Sequence, residues 1–198
     1  MKILISAFEP FGNDSENSSQ KTCSRLYSTQ ERTVSTIVLP VVFEEAWLVL
    51  KRKIEKEKPD AVFCLGQAEG RTAVTFEKIG INWMDAGIPD NNGFQPKGLR
   101  IRKDGPDGLF STVNPEKLAE AVTALGIPAA VSYSAGTYVC NDLLYRMLDW
   151  IQQENREIKA GFIHLPLLSE QAAGRSSVPA SMSLADLVSA MQKVIETV

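Results

Sequence analysis

Two scarce residue types in this chain could carry out nucleophilic chemistry together. Cys140 lies in Ser134-Ala-Gly-Thr-Tyr-Val-Cys-Asn141, a few residues past a glycine turn and at the expected start of a helix. Backbone entering a helix there aims free N–H groups and a partial positive charge at the thiol, which predicts a shift toward the reactive thiolate. The only histidine, His164, closes an apolar run in Gly161-Phe-Ile-His-Leu-Pro166. An imidazole beside a thiol can take its proton and later hand it to a leaving group, the acid–base work of acyl transfer. If Cys140 needs an imidazole, His164 must supply it. Each residue also has a plainer reading. Cys140 shares a helical stripe with Leu143, Leu144, Met147, Leu148 and Ile151, as a small buried hydrophobe would. A histidine at a strand end equally suits a hydrogen-bonded core residue.

A Cys–His pair gains from a third group that fixes the imidazole tautomer. Spacing alone does not select it from 24 acidic residues. Glu77 is a candidate because it interrupts the apolar, strand-like Thr75-Phe-Glu-Lys-Ile-Gly-Ile-Asn82. A carboxylate there is either on an exposed face or buried and in need of a partner. Asp85 and Asp90 are further candidates, although both suit turns better.

The elements that must position these residues follow from periodicity. Residues 2–8 alternate too little for a half-exposed strand, and 61–66 is a short, wholly apolar run; both are of the kind buried on both faces of a sheet. Further strands are expected at 34–42, 129–133 and 159–165, and helices at 20–30, 44–58, 114–125, 138–154 and 183–197. This alternation predicts an α/β fold with a mostly parallel, doubly covered sheet. In such sheets the ligand crevice lies beyond the carboxyl ends of the strands, where Cys140 and His164 would both arrive. The pattern breaks over residues 83–113, which are dense in turn formers, with a β-hairpin expected through Leu99-Arg-Ile-Arg102. No repeat or linker appears, and residues 1–198 read as one domain.

Composition narrows the partners. The 198 residues are 44% hydrophobic and 23% charged with a net charge of −3, which gives no reason to expect nucleic acid. The basic Lys51-Arg52-Lys53 cluster is interrupted by Glu55 and Glu57 and reads as a solvated helix face. The N-terminal apolar run is too short for a signal peptide, and no segment has membrane-spanning length. Cys23, Cys64 and Cys140 are odd in number and widely spaced, which fits neither a disulfide framework nor a zinc site. Cys64 is expected in the core and Cys23 as a partly exposed or packing residue. A cytoplasmic location without metal or cofactor is the simplest expectation.

Five segments together resemble the pyroglutamyl peptidase I (pyrrolidone-carboxylate peptidase) family of cysteine peptidases. They are Phe8-Glu-Pro-Phe-Gly12; Leu65-Gly-Gln-Ala-Glu-Gly-Arg71 with Phe76-Glu77 and Ile81-Asn82; Asp85-Ala-Gly-Ile-Pro-Asp-Asn91; Ser134 to Asn141; and Gly161 to Pro166. The resemblance implies a single three-layer α/β/α domain and a Cys140–His164–Glu77 triad. It also implies a substrate pocket lined by Phe8, Phe11, Gln67, Tyr138 and Val139. The implied substrates are peptides with an N-terminal pyroglutamate, cleaved through a thioester. A homo-oligomer, dimer or tetramer, is expected by the same analogy. Two departures stand out. Gly87 replaces the family's usual arginine, and Ser18-Ser19-Gln20 replaces the more usual Pro-Ser-Trp after Asn17. The missing arginine motivates an alternative reading, a weakly active or non-catalytic binder of pyroglutamyl peptides, unless Arg71 or Lys78 substitutes. A different small-substrate α/β enzyme is a further rival, disfavoured by the absence of a phosphate-cradling glycine loop.

Overall fold

The computed structural model describes residues 1–12, 14–173 and 175–198; Asn13, in the turn-rich stretch expected from Gly12 to Ser19, lies outside the described residues. In chain order the elements are β1 (Lys2–Phe8), α1 (Ser18–Cys23), β2 (Thr33–Leu39), α2 (Glu45–Glu57), β3 (Ala61–Gln67), β4 (Val74–Glu77), β5 (Ile79–Ile81) and β6 (Gly108–Phe110). They continue with α3 (Pro115–Thr123), β7 (Ala129–Ser132), α4 (Val139–Gln153), β8 (Lys159–Leu165), β9 (Leu167–Leu168), α5 (Ser169–Ala173), β10 (Ser181–Met182) and α6 (Leu184–Thr197).

Runs without polar alternation form the centre of the main sheet. β3 is buried at every position, and β1 and β8 at every position after the first, which a strand achieves only when both its faces are covered. The six-stranded order is β2-β1-β3-β8-β4-β7. Every pairing in it is parallel except β4 with β8. Residues of α2 and α4, among them Leu50, Ile54, Leu143 and Met147, cover one face together with Val62, Cys64 and Phe162. Residues of α1, α3 and α6, among them Cys23, Leu118, Leu187 and Met191, cover the other with Ile5, Phe63 and Ile163. The architecture is a three-layer α/β/α sandwich.

Helix boundaries follow local chemistry. Asn114 caps α3 by accepting from Lys117 N–H, with Pro115 at the first position. Ser183 caps α6 through Asp186 N–H, and Asn17 caps α1 through Ser19 N–H. The Asn17 cap explains why α1 begins at Ser18 rather than residue 20. The helix also ends early, at Cys23 instead of residue 30, because Arg25 and Leu26 N–H groups fold back as turns onto Thr22 and Cys23 carbonyls. No strand forms through Leu99–Arg102; only Leu99 bridges, to Met84. The antiparallel pairing in this region instead joins β5 to β6, bringing Ile79 opposite Phe110. Cys23 is fully buried rather than partly exposed.

Candidate active site

His164 and Glu77 meet through the antiparallel pairing of β4 with β8 in the main sheet. Across β4 and β8, Thr75 pairs with His164 and Glu77 with Phe162, so Glu77 is the diagonal neighbour of His164 on the same face. Their side chains span that diagonal, with His164 Nδ1 at 2.8 Å from Glu77 Oε1. The imidazole is 5% exposed and the carboxylate residue 1%. A carboxylate can only accept, so the contact places a proton on Nδ1 and turns Nε2 away from Glu77.

Cys140 arrives from a different direction. The chain leaves β7, turns at Gly136 in the left-handed region (φ 78°), and enters α4 through Tyr138. Unlike α1, α3 and α6, α4 has no side chain capping its N-terminus. Its first helical hydrogen bond runs from Asp142 N–H to Tyr138 O, so the N–H groups of Val139, Cys140 and Asn141 precede the intrahelical ladder. The thiol packs over Gly66 of β3. A Cβ at Gly66 would stand 3.0 Å from Cys140 Sγ and 2.8 Å from Phe162 Cζ, so only glycine leaves the sulfur its place. Gly66 is also the register partner of His164, which brings thiol and imidazole to one edge.

The helix start does not make Cys140 a resting thiolate. Burial pushes the thiol up to about 12, aided by the negative charge of Glu77 and by Cys64, with the Cys140 backbone N–H opposing. The residue is half-buried by area because a pocket reaches it. Protein nonetheless surrounds it closely enough for desolvation to outweigh the helix terminus. The expected thiolate is therefore a neutral thiol at rest. Burial raises Cys23 and Cys64 to about 12 as well.

A pocket of about 490 Å³, open solvent at its mouth included, joins these residues. Cys140 and His164 line it, as do Phe8, Phe11, Gln67, Tyr138 and Val139. It sits beyond the carboxyl ends of β1, β3 and β8, where open parallel sheets hold their ligands. The Tyr138 ring stands edge-on to Phe43 at 5.3 Å between centroids and 6.3 Å from Phe11, while its hydroxyl donates to Pro89 O at 3.0 Å. Asn17, Val41 and Ala135 complete the lining and were not anticipated. Asn17 could have been found as the helix cap that follows the Phe8–Gly12 segment.

Gln67 reaches the pocket with its amide already engaged. Its Oε1 accepts from Ser18 N–H at 2.8 Å and Gln171 Nε2 at 3.0 Å, and its Nε2 donates to Asp14 Oδ2 at 2.9 Å. The Ser18 contact needs an N–H that proline, usual here in the family this sequence resembles, lacks.

The other acidic candidates are turn residues. The buried Asp90 accepts from the Phe43, Asn92 and Phe94 N–H groups. Asp85 is exposed, and its backbone exchanges hydrogen bonds with Thr137. Gly87 is exposed too, with none of the described residues within 4 Å of where a side chain would start. Of the two possible substitute cations, Lys78 pairs with Glu116 at 2.7 Å, whereas Arg71 reaches Glu77. Among the described residues, no group of three or more His, Cys, Asp and Glu is placed to hold a metal ion, and no helix is long and apolar enough to cross a membrane.

Known proteins share both sequence and shape with this chain. The sequence profile described as pyroglutamyl peptidase matches residues 1–198. A pyrrolidone-carboxylate peptidase of Streptococcus suis is 42% identical over 196 residues, covering 98% of this chain and 91% of the relative. One from Bacillus subtilis is 39% identical over 193 residues, covering 96% and 89%. Among solved structures, pyroglutamyl peptidase I from Bacillus amyloliquefaciens superposes with a TM-score of 0.95 at 37% identity, covering 99% of this chain and 93% of the other. A variant of the pyrrolidone carboxyl peptidase from Pyrococcus furiosus gives 0.95 at 36%, covering 100% and 97%. These matches do not favour the reading of a non-catalytic binder prompted by Gly87.

Proposed function

The chain belongs to the pyroglutamyl peptidase family, and from that premise we propose that Cys140, His164 and Glu77 release an N-terminal pyroglutamyl residue from peptides through a thioester. The activity itself, that of a cysteine-type pyroglutamyl peptidase, follows from the family and from relatives matching nearly the whole chain. The residue roles rest chiefly on one observation, the 2.8 Å contact between His164 and Glu77 at the edge of the pocket that Cys140 lines.

Cys140 Sγ attacks the carbonyl carbon of the pyroglutamyl residue. Because the thiol is neutral at rest, its proton passes to His164 as the S–C bond forms. Glu77 orients the imidazole and balances the charge that develops on it. The carbonyl oxygen becomes an oxyanion, and the Cys140 N–H at the start of α4 is positioned to donate to it. As the C–N bond breaks, His164 returns the proton to the departing amine. Water, deprotonated by His164, then splits the thioester, releasing pyroglutamate and restoring the thiol. The pyroglutamyl ring is a flat, neutral lactam, and the Phe8, Phe11, Val41, Tyr138 and Val139 lining suits it.

We read residues 1–198 as a single peptidase unit, and the homo-oligomer expected from the family resemblance is carried with that reading. The test is turnover of a chromogenic pyroglutamyl amide by wild type and Cys140→Ser. The variant is expected to lose at least about 10³-fold in kcat while keeping its thermal midpoint. Equal rates would remove Cys140 as the nucleophile.

A further inference from the structure

We propose that Arg71 is a fourth member of this site, a positioning residue that clamps the Glu77 carboxylate to the turn delivering Cys140. Arg71 follows β3 by four residues in a tight turn, its N–H donating to Ala68 O at 3.3 Å. The guanidinium reaches back across the strand ends. Its Nη2 lies 3.4 Å from Glu77 Oε1 and donates to Ser134 O at 3.1 Å, while Nη1 donates to Ser132 Oγ at 3.3 Å. Oε1 is the same oxygen that faces His164 Nδ1, and Oε2 is buried without a hydrogen-bond partner among the described residues. Cation and imidazole thus bear on a single atom.

Two physical consequences follow. A carboxylate this deeply buried is costly to hold without an opposite charge. His164 cannot provide that charge while it is neutral, whereas a guanidinium is cationic at every working pH. The 3.4 Å separation is long for a hydrogen bond, so Arg71 acts on Oε1 mainly as a charge and leaves the short contact to the imidazole. The same guanidinium also organises the turn. Ser132 Oγ donates to Ser134 O at 3.2 Å and accepts from Ser134 N–H at 3.4 Å, and Ser134 Oγ in turn accepts from Gly136 N–H at 3.2 Å. Arg71 therefore spans from the group that orients the base to the segment that presents the nucleophile. Lys78, next to Glu77 in sequence, is committed to Glu116. Gly87 contributes no side chain.

This inference rests on reading Glu77 and His164 as a catalytic pair. The experiment compares wild type, Arg71→Ala, Arg71→Gln and Arg71→Lys in kcat and KM on a pyroglutamyl amide, in thermal midpoint, and in the imidazole Nδ1–H proton resonance. A single histidine makes that resonance unambiguous. Arg71→Ala is expected to lower kcat by about 10- to 100-fold with KM within about threefold, the scale of a lost oriented charge. Arg71→Lys, or methylguanidinium added to Arg71→Ala, restores part of the loss, since the side chain is 32% exposed and its slot opens to solvent. The Nδ1–H resonance moves downfield once His164 no longer shares Oε1 with a cation. A kcat within twofold of wild type overturns the proposal. So does a loss that neither lysine nor methylguanidinium recovers while the resonance stays in place. Should wild type itself turn nothing over, the peptidase reading falls, and the resonance still decides Arg71: a downfield shift supports the clamp and an unmoved signal overturns it. If Arg71→Ala does not fold, Arg71→Gln, which keeps donors without charge, is read by the same criteria.

Discussion

Phe8, Phe11, Tyr138 and Val139 carry one apolar core outward to the pocket, whereas His164, Glu77 and Arg71 form a chain of polar contacts leading away from it toward solvent. The first lining is held by many weak contacts. Phe8 and Val139 belong to the core, and Phe11 and Tyr138 pack against it, so losing one ring leaves the rest in place. The second depends on a few directional contacts around one carboxylate oxygen, where each member sets the position of the next. With the roles proposed above, recognition and chemistry are built separately and should fail separately, one in KM and the other in kcat.

The strongest way to break that division is Glu77→Gln. It keeps the shape but removes the charge balancing the imidazolium, and kcat is expected to fall between about 10²- and 10⁴-fold with KM little changed. A variant whose KM rises while kcat holds would show that the polar chain serves binding instead. A smaller effect is expected from Phe11→Ala, which strips a half-buried ring from the apolar lining. KM should rise about tenfold with kcat within about threefold, the scale of one partly lost apolar contact. A fall in kcat alone would merge the two linings into one device. The smallest effect is expected from Gly87→Arg. Open space surrounds that position, so the thermal midpoint should stay put and kcat should rise by about twofold, the size of an exposed charge contact. A rise of about a hundredfold, the scale of a positioned catalytic charge, would mean that the polar chain lacks a member which Arg71 does not replace.

Legibility in the sequence tracked how local each cause is. Cys140 and His164 could be placed because one opens a helix after a glycine turn and the other closes an apolar strand, and both ends are written in neighbouring residues. Glu77 could not be separated from Asp85 and Asp90 by spacing, because its partner comes from β8 across an antiparallel pairing 87 residues away. Only the family resemblance selected it. The expected thiolate failed for a related reason: a helix start is visible in sequence, but the desolvation that outweighs it comes from distant elements. Residues 83–113 advertised turns without specifying which short strands would pair, so the hairpin was expected at Leu99–Arg102 rather than between β5 and β6. Asn17 was read neither as a cap nor as a pocket residue, because the helix was expected to start at residue 20 and nothing nearby announces that α1 opens onto the cavity.

The neutral state of Cys140 has a consequence for the chemistry this protein avoids. Peroxides and other oxidants attack sulfur in proportion to its anionic character, and a thiol whose ionisation burial pushes up offers little of that. Between encounters with substrate the sulfur is a poor target for irreversible damage. In the mechanism proposed above, it becomes reactive as His164 takes its proton and the carbonyl carbon is attacked.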